Sequence, residues 1–224
     1  MVKALILTVG IACLFVPQAN ANLLLNGSFE TPDVLPGALG PIGGWETFYE
    51  PTPGLGWIPI AGGMEILDHV VGTRIDGVDI AWDAYKGDQF AELDTMPADP
   101  NGGMYQNVDT DSGRHYTLHF VYSPRPGVLP NSNIIYLYLD GLLVDTLTGS
   151  GVGELVPVWS HYNYQFVASG TSTEIKFLAG GIDDGLGGFL DDVRLTPVQE
   201  PSTLLLLGSG MIGLVGCRKK HRGD

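Results

Sequence analysis

Between residues 22 and 197, apolar and polar positions alternate in short runs, and no long stretch repeats at helical spacing. Tyr116, Leu118, Phe120 and Tyr122 share one face of the run His115 to Tyr122; His115, Thr117, His119 and Val121 share the other. A period of two is the signature of a half-buried strand. Ile134 to Asp140 is β-branched and aromatic, meets Asp140-Gly141, and continues as Leu142 to Thr146. An Asp-Gly pair between two such runs predicts a hairpin. Alternation returns at Tyr162, Tyr164 and Phe166, at Ile175 and Phe177, and at Phe189, Asp191, Val193 and Leu195, which places those last four on one face. Leu23 to Phe29, Glu65 to Asp68, Gln89 to Asp94 and Met104 to Asp109 complete the expected strands, while Pro32 to Gly44 and Pro51 to Gly63 read as long loops. Many short strands separated by Gly- and Pro-rich turns predict an all-β jelly-roll sandwich. A body of about 175 residues is enough for one domain with its own core.

The two ends follow different patterns. Lys3, the apolar run Ala4 to Val16, Pro17 and Ala19-Asn20-Ala21 form a secretory signal peptide over residues 1–21, so the mature chain is expected to start at Asn22. At the other end, the apolar stretch Thr203 to Cys217 runs into Arg218, Lys219, Lys220, His221 and Arg222. Fifteen residues make a helix of roughly 22 Å, short for a hydrocarbon core about 30 Å thick. The basic end is expected to stay in the cytoplasm, with the body outside the inner membrane. Cys13 and Cys217 are the chain's two cysteines, so residues 22–197 hold no disulfide.

The tail 198–224 resembles the PEP-CTERM sorting domain of exopolysaccharide-making Gram-negative bacteria. Val198, Gln199, Glu200 and Pro201 stand at its motif, with Gln199 where that family usually has proline. The resemblance implies a transmembrane sorting helix, a membrane-embedded exosortase as partner, and delivery to the cell surface or extracellular matrix.

The body resembles a second group. Asn22 to Glu30, Phe90 to Asp94, Tyr105-Gln106, Phe120 to Gly127 and Leu190 to Val193 follow, in order, the template of galactose-binding-like domains, which include many carbohydrate-binding modules and DUF642-type proteins. This implies a β-sandwich that binds polysaccharide without cleaving it. It also implies a structural calcium joining the first and last strands, with Glu30 and Asp191 or Asp192 as the matching carboxylates. Calcium takes six to eight oxygens, so main-chain carbonyls would contribute. Asp191, on an apolar face, is the stronger candidate, because a lone carboxylate there is costly unless paired or metal-bound; main-chain N–H groups or Arg125 could satisfy it instead.

Composition narrows the partners. Residues 22–197 carry six Lys and Arg against 23 Asp and Glu, a net charge of −17. That field repels phosphate backbones, and nucleic acid is not expected as a partner. Flat aromatic rings can stack on the C–H face of a sugar, and Trp45, Trp57, Trp82, Trp159, Tyr49, Tyr85 and Tyr105 are available. Trp57 and Trp82 are the preferred platforms, followed by Trp45 and Tyr85. Arg125, held between Pro124 and Pro126, could clamp an acidic sugar or pair with an acid across a loop. Asp109 to Gly113 reads as a turn. His115 and His119 are about 13 Å apart along a strand and cannot share a metal. No nucleophile elbow, zinc-protease motif or phosphate loop is present, so no catalytic residue is assigned. Two other readings remain: a matrix or floc protein with no defined sugar ligand, and a polysaccharide-cleaving enzyme.

Overall fold

The structure is a computed structural model and describes residues 21–34, 44–75, 78–95 and 101–199. The signal peptide (all but Ala21), Glu200 and Pro201 of the sorting motif, and the apolar tail lie outside the described residues, as does most of the expected loop after Pro32.

Among the described residues, thirteen strands, every pair antiparallel, build two stacked sheets and a hairpin. The first sheet contains β1 (Gly44–Phe48), β3 (Met64–Asp68), β6 (Gln89–Glu92), β8 (His115–Ser123), β11 (Ser160–Val167) and β13 (Phe189–Pro197), in the order β1-β3-β6-β13-β8-β11. The second contains β2 (Ile58–Ala61), β7 (Gly102–Asp109), β9 (Ile134–Leu139), β10 (Leu142–Leu147) and β12 (Ser172–Gly180), in the order β10-β9-β12-β7-β2. The hairpin pairs β4 (Val70–Ile75) with β5 (Val78–Trp82). The described residues contain no helix. This is the all-β sandwich that the alternation predicts.

The main core lies between the two sheets. Tyr116, Leu118, Phe120 and Tyr122 of β8 face Ile175 and Phe177 of β12 and Ile135, Leu137 and Leu139 of β9. A second, smaller core lies on the outer side of the first sheet, where Leu67, Trp82, Phe90 and Phe189 pack with Ala84 and Trp159. The β9–β10 connection is as expected. Asp140 and Gly141 have φ of 48° and 76°, the pair of positive values that a two-residue turn of the primed type needs.

Three expectations are corrected. Leu23 to Phe29 runs beside β13 but is not a strand. Side-chain amides replace much of its ladder: Asn22 accepts from the N–H groups of Leu24 and Leu195, Gln106 clamps both main-chain groups of Leu25, and Asn26 and Phe29 have positive φ. The stretch Pro51 to Gly63 is not all loop, since it contains β2. Pro59 is tolerated there because β2 is an edge strand and one side needs no donor. Finally, Phe189 and Val193 do not share a face. The register against β8 slips by one residue between Asp191 and Arg194, and Asp192 has φ of 49°. This bulge sends Phe189 to the outer core and Val193 to the main core.

Candidate functional site

The two preferred tryptophans are interior. Trp57 is 1% exposed, stacks on Phe29 at 6.0 Å, meets Phe177 edge-on at 6.1 Å, and donates its indole N–H to the carbonyl of Asn26. Trp82 is 3% exposed, packs on Phe189, and donates to the carbonyl of Leu155. Neither presents an open ring face to a sugar. Arg125 is committed as well. Its Nη1 lies 2.5 Å from the buried carboxylate of Glu92, and its guanidinium packs 5.3 Å from the Trp82 ring centroid. Of its two sequence readings, the pairing with an acid is the one formed. Trp45 and Tyr85 are exposed, 44% and 42%. They do not form one site: Trp45 is on β1, Tyr85 meets His161 of β11 edge-on at 5.1 Å, and β1 and β11 are opposite edges of the sheet, five strand spacings or about 24 Å apart.

The three proposed metal carboxylates do converge on one segment, the turn Tyr85 to Gln89. Glu30 accepts from the N–H groups of Asp88 and Gln89, both at 3.1 Å. Asp191 accepts from Lys86 N at 2.8 Å and from Asp192 N at 2.5 Å. Gly87, at φ +78°, lies so close that an added Cβ would stand 2.2 Å from Glu30 Oε1. Asp192 differs from the other two, because Lys86 Nζ, Arg194 Nη2 and, at 3.6 Å, His119 Nε2 surround it. Its charge is balanced by side-chain cations. Among the described residues no three carboxylate, histidine or cysteine side chains converge as a metal site. Glu30 and Asp191 therefore fit calcium only as part of an oxygen set completed by main-chain carbonyls and water.

Burial pushes the Asp191 carboxyl up from the ordinary 3.8 to about 7, outweighing its main-chain hydrogen bonds. The sign follows from linkage. Below pH 3.8 both folded and unfolded chains hold the proton. As pH rises towards 7 the unfolded chain ionises first, so this group's contribution to stability is lost across that window. Denaturant melts in chelator between pH 4 and 7 are expected to show stability falling with pH, and Asp191→Asn to fall less steeply. Equal slopes for the two proteins would contradict this.

His115 is exposed, whereas His119 is half-buried, with Nδ1 3.0 Å from Asn163 Oδ1. Asp109 ends β7 and the turn follows it, closed by Arg114 N on Asp111 O at 3.0 Å.

An aromatic surface is formed elsewhere, on the outer face of the second sheet. Along β9 and β12 every second side chain enters the core, which leaves Tyr136, Tyr138, Lys176 and Leu178 on the solvent side. The register aligns them with β7 and β2. Tyr138, Lys176, Tyr105 and Ile58 form one row across four strands; Tyr136, Leu178, Gly103 and Ile60 form the next. Lys176 Nζ stands 4.8 Å from the Tyr138 ring centroid and 3.4 Å from Glu174 Oε1. Tyr136 lies over Gly180, where a Cβ would come within 2.2 Å of its ring. Tyr138 and Tyr105 are two strand spacings apart, about 10 Å. Of this surface the sequence reading named only Tyr105. The signal for Tyr136 and Tyr138 was present, as two aromatics on the polar phase of an alternating strand.

Several solved structures are similar to this chain. The carbohydrate-binding module TmCBM61, solved with β-1,4-galactotriose, shares 17% identity at a TM-score of 0.45, over 80% of this chain and 99% of its own. The K1 cleaved adhesin domain of Lys-gingipain from Porphyromonas gingivalis W83 shares 12% at 0.46, over 70% and 99%. The EclA C-terminal domain, a sugar-binding protein, shares 16% at 0.35 over 41% of this chain, which spans 64% of its length. No curated protein sequence matches the chain. Residues 198–220 match the PEP-CTERM protein-sorting motif, which marks an exported protein sorted at the membrane.

Proposed function

We propose that an exosortase processes the tail of this protein and that the body then resides at the cell surface or in the exopolysaccharide matrix. There it binds glycan, without cleaving it, on the outer face of the second sheet. The observation that carries this reading is the register-aligned row Tyr138, Lys176, Tyr105. Tyrosine rings give flat apolar area and a polar tip, and Lys176, Glu174 and Asn107 beside them can hydrogen-bond hydroxyls. Because the body carries a net charge of −17, a polyanionic glycan is repelled, and a neutral chain is the favoured ligand. Binding of the full chain in detergent to immobilised neutral and acidic polysaccharides tests this. Retention on a neutral glycan is expected, and no retention on any would contradict it.

A calcium ion held by Glu30 and Asp191, with main-chain oxygens, would fix the Tyr85 to Gln89 turn against the last strand and neutralise a buried carboxylate. Millimolar calcium is then expected to raise the melting temperature by several degrees over chelator, and Glu30→Gln to lose the share of that gain that this site supplies. An unchanged melting temperature in wild type would remove calcium from this site.

A second reading, a matrix protein with no defined sugar ligand, is favoured by one observation. The edge strand β10 exposes Leu142, Leu143 and Val144, an apolar edge suited to self-association. It predicts cell aggregation that depends on these residues and not on Tyr105 or Tyr138.

A further inference from the structure

Among the described residues, two buried acceptor oxygens have no hydrogen-bond partner, and both belong to residues bonded to the segment Gly181 to Gly188 that joins β12 to β13. Asp94, just past β6, is 1% exposed. Its Oδ2 accepts from the N–H groups of Asp184 at 3.3 Å and Leu186 at 3.2 Å, the Gly185 N–H also acts on the carboxyl, and its Oδ1 is buried with no partner within hydrogen-bond geometry among the described residues. Asn101, just before β7, donates its Nδ2 to the carbonyl of Gly181 at 3.3 Å and has its Oδ1 buried without a partner. Gly187 packs so tightly here that a Cβ would come within 2.7 Å of Asp94 Cβ.

The surrounding charge has one sign. Asp183 and Asp184 are exposed on the same segment. Asp184 accepts from Ser132 Oγ at 2.8 Å, and the Asp183 carboxylate is near enough to act on Asp94. The adjacent cation, Arg125, is committed to Glu92, which itself accepts from Gly187 N at 2.6 Å. Burial, and Asp183 to a smaller degree, push the Asp94 carboxyl up to about 6. An unpaired buried acceptor costs free energy, and an ionised one costs more. The two orphaned oxygens belong to a carboxylate and an amide, both hard donors, on residues bonded to the same Gly181 to Gly188 segment.

We propose that Asp94 Oδ1, Asn101 Oδ1 and the Asp183 carboxylate contribute to a calcium site that ties the Gly181 to Gly188 segment to the ends of β6 and β7. Among the described residues no three acidic, histidine or cysteine side chains converge, so main-chain carbonyls and water complete the coordination. The site is separate from the Glu30 and Asp191 turn. Phe189 pairs with Glu92 in antiparallel register, which sets Asp94 and Asp191 about four residues apart along the strands, some 13 Å. Partly neutral coordination with few carboxylates places its affinity in the weak range of extracellular modules. Loading it would order a loop that exposes Ile182 and Leu186 beside the second sheet's end of the sandwich.

The test is amide NMR of the full chain in detergent, titrated with calcium chloride to about 10 mM, ten times the weak end of that range. The amides of Asp184 and Leu186 report this site, and those of Lys86 and Asp88 report the other. Saturable shifts at Asp184 and Leu186 are expected, with smaller shifts from magnesium at the same concentration. Asp94→Asn keeps an oxygen for the two main-chain hydrogen bonds and is expected to abolish those shifts while leaving Lys86 and Asp88 unchanged. Asp183→Asn, at an exposed position, is expected to weaken calcium about tenfold. Glu30→Gln is expected to leave Asp184 and Leu186 responsive. Absence of saturable shifts at these two amides in folded wild type would overturn the site, with water then filling the orphaned oxygens. The same shifts in folded Asp94→Asn and Asp183→Asn would overturn it equally.

Discussion

Trp57→Ala is expected to lower the melting temperature of the full chain by about 10 °C or to prevent folding, and not to act as a selective binding mutation. The indole fills the space between Phe29, Phe177 and the irregular N-terminal segment, and its N–H satisfies the Asn26 carbonyl. Truncating a buried tryptophan costs about 3–5 kcal/mol in lost transfer free energy and residual cavity. For a domain of this size each kcal/mol is worth about 2–4 °C. Calorimetry or a denaturant melt measures it. A well-folded variant with unchanged melting temperature and lost glycan binding would mean that Trp57 is a ligand platform after all.

Tyr105→Ala combined with Tyr138→Ala is expected to weaken glycan binding about a hundredfold while moving the melting temperature by only a few degrees. The two rings flank Lys176 in one row on a solvent-facing surface, so their removal opens no internal cavity. Truncation of an aromatic anchor costs about 1–2 kcal/mol or more of binding, and tenfold corresponds to about 1.4 kcal/mol. Sites about 10 Å apart with no shared partner add, and the ring contact of Lys176 is with Tyr138. Trp45→Ala, on the other sheet, and Tyr85→Ala, in the turn before β6, are expected to bind as wild type. The measurement is the dissociation constant of each purified protein for the polysaccharide that retains it.

Much of the fold was legible because the relevant signals are local. Asp140-Gly141 specifies its own turn, and the alternation of β8 and β12 specifies which residues enter the core. What failed depended on contacts distant in sequence. Whether Trp57 is buried depends on Phe177, 120 positions away, and nothing near residue 57 encodes that. The parity of β13 depends on the extra residue at Asp192, and strict alternation through Asp191 and Val193 hides it. The opening segment has the apolar content of a strand, yet the side chains of Asn22 and Gln106 take main-chain groups of Leu24 and Leu25, and Asn26 turns the backbone through positive φ. The family pattern groups Glu30, Asp191 and Asp192, and in the structure each bonds some part of the Lys86 to Gln89 turn. That Asp192 is there to meet Lys86 and Arg194 was not readable, because the bulge aims it. The open tyrosine face was in principle readable from β9, but indole size drew attention to tryptophans that the core needed more.

The most direct measurement is hydrogen–deuterium exchange of the full chain with and without oligosaccharides from its own producer's matrix. The account predicts slower exchange in peptides covering β7, β9 and β12, with the Trp82 to Gln89 segment and β11 unchanged. Protection confined to the Tyr85 and His161 corner, with the second sheet unaffected, would contradict it.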